Sequence, residues 1–212
     1  MLTPIALLLG FLGGAWGFAA DRIGARWPAH EDGSVRRIDW RTPVVVVTGA
    51  LALGALTLRF DEPVPALVFG TYLAALVLLL ATDLDQRLLP DVITLPAIPL
   101  ALLFSLSGLN PLVPPGVLPI AIVAAIAIPG VLALLAIPFG AGAIGQGDLK
   151  LLVSVGLMVG PLRLVYGAVY GALLAGVVLL VLLLVRRITL RTFVPYGPFL
   201  ILGAMWAVLV IR

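Results

Sequence analysis

The chain has no cysteine and a single histidine, His30. Disulfides, thiol catalysis and cysteine-held zinc are therefore excluded, and one imidazole forms neither a metal cluster nor a Ser/His pair by itself. Charge is scarce too. Asp, Glu, Lys and Arg make up 11% of 212 residues, against about a quarter in soluble domains. Hydrophobic residues supply 62%, which places the chain among integral membrane proteins with the lipid bilayer as its surroundings. Any catalysis falls to carboxylates. The formal charge of +3 has the sign of a nucleic-acid binder, but membrane orientation accounts for the basic residues and no nucleic-acid partner is implied.

Apolar stretches near the length of a membrane span, shorter where tilt or packing permits, fall at 3–20, 43–59, 64–82, 92–108, 117–139, 149–160, 164–185 and 195–211. The expected fold is all-α, a polytopic transmembrane bundle of about eight helices forming one membrane-embedded domain over 1–212. The first stretch lacks the basic n-region of a secretory signal and is expected to stay as a helix. If the helices alternate, Arg22, Arg26, Arg36, Arg37, Arg41, Arg87, Lys150, Arg186, Arg187 and Arg191 share one side, leaving Arg59, Arg163 and Arg212 on the other. The first side is expected to be cytoplasmic and the N-terminus outside. The longest connection, 21–42, opens on "DRIGARWPAHEDGSVRRIDWR" and reads as a polar cytoplasmic loop too short to be a domain. His30 and Glu31 read as ordinary loop residues. Trp16, Trp27, Trp40 and Trp206 read as interfacial anchors near helix ends. No internal repeat is evident.

Against this apolar background, "ATDLDQRLLPDVITLPAIPL" holds Asp83, Asp85 and Asp91 between two spans, where each acid at bilayer depth costs about 2.5–3.5 kcal/mol. A second acid, Asp148, follows the glycines of "GAGAIGQGDLKLL". Two spanning runs separate Asp83 from Asp148, so the chain leaves and returns, and both acids meet the same face. Gly140, Gly142, Gly145 and Gly147 leave the approach to Asp148 bare. Such a loop suits positive φ, the close passage of an extended peptide, or close helix packing. From Asp148 to Gly160 about 13 residues give roughly 20 Å of helix, which sets Asp148 below the membrane surface. Two recessed carboxylates held together share one proton. One then serves as base toward water and the other as acid toward an amide, which is aspartyl-protease chemistry needing no cofactor and no metal. Other readings of the same acids are a proton-coupled transporter, a Mg²⁺-dependent membrane phosphotransferase built on Asp83, Asp85, Asp91 and Asp148, or an assembly protein whose site has decayed.

"DLDQRLLPD" with "VITLP", and "GQGD" with "LKLL", resemble the two signature motifs of the type IV prepilin peptidases, membrane aspartyl proteases of the GxGD kind. "IDWRTPVVVVTGAL" and "FVPYGPFLILGA" resemble the family's segments leading into the second and last helices. The resemblance implies a catalytic pair of Asp83 and Asp148, with Gly145, Gly147, Asp85, Pro90, Asp91 and Lys150 on the substrate side of the motifs. Read from the residues alone, Asp85 is a solvated charge or a partner of Arg87, Asp91 a helix N-cap, and Lys150 a snorkelling surface lysine. The substrate implied is a type IV prepilin-like or pseudopilin precursor with a short basic leader, cut in the cytoplasmic (inner) membrane at its cytoplasmic boundary. Many bacterial members carry paired CxxC motifs in a larger first cytoplasmic loop, associated with methylation of the new N-terminus by S-adenosylmethionine. The 21–42 loop has none, so the resemblance implies cleavage and leaves methylation doubtful.

Overall fold

The computed structural model describes residues 4–29, 33–139, 144–187 and 196–210. Calls on His30, Glu31, Gly140, Gly142, Arg191 and Arg212 fall outside them. The described residues form α1 (Pro4–Gly24), α2 (Arg41–Gly54), α3 (Leu56–Arg59), α4 (Pro63–Gln86), α5 (Asp91–Leu106), α6 (Leu118–Ala136), α7 (Gln146–Val159), α8 (Pro161–Leu184) and α9 (Gly197–Leu209), with a 3₁₀ turn at Ile137–Phe139 and no strand. Each expected span finds a helix, the second being α2 continued by α3. Among the described residues five helices are long and apolar enough to cross a membrane, α2 and α3 counting together, while α5 and α9 are shorter apolar helices.

Proline and glycine punctuate the bundle as their backbone limits require. Prolines open α4, α6, α8 and α9 in their first turns, where a missing N–H costs nothing. Helix α4 stops at Arg87, whose left-handed backbone (φ 57°) turns its N–H onto the Asp83 carbonyl at 2.9 Å. The same side chains that make these helices apolar leave many of them exposed outward, as lipid-facing surfaces require.

Helix α4 is the most enclosed of the long helices. It packs against α1 and α2 on one flank and α9 on another, while α5 and α6 pack on α7, and α8 pairs with α9. Helix α9 bridges α4 and α7. Small residues set how close the pairs come. A Cβ on Gly17 of α1 would stand 2.6 Å from the Val45 carbonyl oxygen of α2, so only glycine permits that contact. Deep in the bundle the Tyr72 hydroxyl of α4 and the Ser154 hydroxyl of α7 are 3.0 Å apart, a buried polar strut between the two acid-bearing helices.

Two expectations need correction at the end of α1. That helix runs to Gly24, so Asp21 and Arg22 are helical, and Asp21 is fully buried rather than part of a solvated loop. Trp16 therefore lies well inside the helix, and its indole N–H donates to the Ala74 carbonyl of α4 at 2.9 Å. It is a packing residue. Trp206 likewise stacks on Tyr170 with ring centroids 4.6 Å apart.

Candidate active site

The end of α4 and the starts of α5, α7 and α9 meet at one end of the bundle. Asp83 lies in the last turn of α4, 5% exposed, with its Oδ2 buried and lacking a hydrogen-bond partner among the described residues. What faces it is the first residue of α9. A Cβ placed on Gly197 would stand 2.8 Å from Asp83 Cγ and 2.9 Å from Oδ1, and closer still to Oδ2. Real Cβ atoms do not come that near, so the carboxylate occupies the space a side chain at 197 would take.

Asp148 sits in the first turn of α7, half-buried, and its carboxylate folds back over Gly145, where a Cβ would stand 3.1 Å from Oδ2. Gly147, next to Asp148, packs on Leu89 just past the end of α4, so the two carboxylates, 65 positions apart in sequence, lie at the same end of the bundle, and the charge of Asp148 is felt at Asp83. Tyr196, just ahead of α9, completes the rim: burial first, and then the charge of Asp148, push its phenol above the ordinary range. Sequence reasoning marked "FVPYGPF" as leading into a helix but assigned Tyr196 and Gly197 no part in the site. The Pro-aromatic-Gly-Pro pattern was the available signal.

The remaining motif residues divide. Gly147 packs on Leu89, where a Cβ would come 2.7 Å from the leucine Cβ, and Gly145 has φ −64°. Neither glycine takes positive φ, and the protein's own Leu89 and Asp148 use the room they leave. Pro90, not Asp91, is the N-cap of α5, and Asp91 makes no capping bond. Asp91 instead accepts from Lys150 Nζ at 2.6 Å, an exposed pair joining α5 to α7, so Lys150 is not merely a snorkelling lysine. Asp85 is not a solvated charge: its side chain is 2% exposed, with the Arg36 and Arg41 guanidiniums against it. Of the four acids, only Asp83 and Asp148 converge, and no group of three or more His, Cys, Asp or Glu suited to a metal occurs among the described residues. The four-acid magnesium arrangement is therefore not formed.

An apolar cleft of about 590 Å³ runs between α4 and α5, lined by Leu67, Tyr72, Ala75, Ile93, Pro96 and Phe104 among others; neither acid lines it. The hydroxyls on it are already engaged, Tyr72 with Ser154 and Thr71 with the Leu67 carbonyl.

The sequence pattern described as the type IV leader peptidase family matches residues 70–184, a stretch holding both acids. A prepilin leader peptidase/N-methyltransferase of Pseudomonas putida is 35% identical over 178 residues, covering 82% of this chain and 60% of that protein. The matched stretch thus spans less than two thirds of the relative's length. No solved structure matches it.

Proposed function

We propose, for a chain that belongs to the type IV leader peptidase family, that it is a membrane aspartyl endopeptidase removing the basic leader from a type IV prepilin-like or pseudopilin precursor. The observation that carries this reading is the convergence of Asp83 and Asp148 at one end of the bundle, with Asp83 Oδ2 buried and unbonded. Such a group is costly to keep unless it is used.

The two acids stand at opposite helix poles. Asp148 lies at the positive N-terminal end of α7, and Asp83 at the negative C-terminal end of α4. The shared proton therefore rests on Asp83, and Asp148 takes the proton of water as its oxygen bonds to the scissile carbonyl carbon. Asp83 supports the carbonyl oxygen. The leaving nitrogen then receives a proton from the pair as the C–N bond breaks. No cofactor or metal enters these steps. The apolar cleft between α4 and α5 suits the apolar helix that follows the leader.

The acidic end is assigned to the cytoplasmic face of the cytoplasmic membrane, because Arg22, Arg26, Arg36, Arg37, Arg41, Arg87 and Lys150 gather there. N-methylation is not included: the connection before α2 has no cysteine. The test is coexpression with a pilin-like precursor. Wild type shortens the precursor, while Asp83→Ala and Asp148→Ala do not. Processing that survives loss of Asp148 ends the reading.

A further inference from the structure

A dense charge network lies on the other side of α4 from the carboxylate pair. Asp21 of α1 accepts from Arg22, from Arg36 and from Thr42 Oγ1 at 2.8 Å. Arg36 also donates to Asp39 at 2.6 Å. Its Nε stands 2.6 Å from Asp85 Oδ1 as an ion pair, out of line for a hydrogen bond, while Arg41 Nη1 donates to that same oxygen at 2.9 Å. Burial alone would pull the Arg36 pKa down, but Asp21, and then Asp85 and Asp39, outweigh it and hold the guanidinium charged.

Further contacts grip the same turn. Gln86 Nε2 donates to the Pro28 carbonyl at 2.6 Å and the Gly24 carbonyl at 3.3 Å. A Cβ on Gly24 would stand 3.1 Å from the Ala81 carbonyl carbon, so the end of α1 lies directly on the α4 backbone. Asp83 falls inside this gripped stretch. Residues two apart on a helix project roughly 200° apart, which is why Asp85 meets the arginines while Asp83 meets α9.

Buried ion pairs are a poor source of stability, since well-packed apolar replacements often do as well. What two arginines converging on one oxygen do supply is a fixed position. We propose that Asp85 is a positioning residue for cleavage: held by Arg36 and Arg41, it locks the last turn of α4 so that Asp83 meets Asp148. This rests on the peptidase reading above. Asp85 itself faces the connection before α2.

The test uses the full chain in lipid vesicles with a pilin-like precursor. Asp85→Asn lowers kcat about 10–100-fold, the scale of a small misplacement of a reacting group, and leaves KM within about threefold because no substrate contact is lost. Arg41→Gln, at a half-exposed guanidinium, lowers kcat less and in the same sense, and serves if Asp85→Asn does not fold. Asp85→Glu restores part of the loss. A second measurement needs no cleavage: because the chain has no cysteine, Asp83→Cys with Asp148→Cys can be bridged by a short bis-maleimide. Adding Asp85→Asn cuts the bridging yield several-fold while the protein stays folded. Unchanged kcat and unchanged bridging in a folded variant overturn the proposal, as does a rise in KM alone, which would make Asp85 a substrate contact. Bridging that depends on Asp85 in a protein that cleaves nothing leaves the positioning role standing and removes the peptidase reading.

Discussion

Asp21 and Asp83 are both buried at the same end of the bundle, 0% and 5% exposed, and their surroundings are opposite. Asp21 is met by two arginines and a threonine hydroxyl. Asp83 meets the bare backbone of Gly197 and feels the charge of Asp148 more than that of Arg87, and its Oδ2 has no hydrogen-bond partner among the described residues. A buried acid with its cations in place holds architecture together. One kept beside a second acid has been left available for proton transfer, and the surrounding packing carries its cost.

The sharpest way to break this contrast is to neutralise the pair. Asp83→Asn or Asp148→Asn should lower precursor cleavage by about 10³-fold or more, the upper range for losing an acid–base group, with the melting temperature unchanged or raised. Asp21→Asn should act mainly on stability. It leaves Arg36 short of its main partner and costs about 3 kcal/mol, as broken buried pairs do, read by thermal melting, while cleavage per folded molecule falls less than in Asp85→Asn. Gly197→Ala tests whether the wall against Asp83 must be bare. Overpacking of about 1–3 kcal/mol is expected, together with a drop in cleavage larger than the shift in melting explains. Tyr196 offers a spectroscopic check on the site's charge. In Asp148→Asn, the tyrosinate absorbance that disappears with Tyr196→Phe should develop at lower pH than in wild type, because a phenolate no longer forms beside a carboxylate. Smallest is Lys150→Ala: its exposed pair with Asp91 is worth at most about 1 kcal/mol, so the melt should barely move.

The helices themselves were legible because lipid leaves little choice. Apolar runs of the right length must be helical and must bond their own backbone. The meeting of Asp83 with Asp148 was legible for a related reason: counting spans between them puts both at one end. The solvated reading of Asp85 fails because nothing local marks Arg36 and Arg41 as its partners. Arg36 and Arg41 lie more than forty positions earlier in a stretch that reads as solvated loop, and only the extension of α1 to Gly24 brings that stretch against α4. Gly145 and Gly147 leave both a peptide passage and close packing open in the sequence, since composition shows a vacancy but not which neighbour fills it, and at Gly147 that neighbour is Leu89.

Span number, helical class and the shared end of the two acids thus belong to the sequence alone, since they follow from hydropathy and chain direction, which are one-dimensional quantities. Which acid is paired and which is left open was decided by tertiary structure. Two carboxylates two residues apart on one helix, Asp83 and Asp85, point to opposite sides, and what waits on each side is set by the packing of α1, α2 and α9.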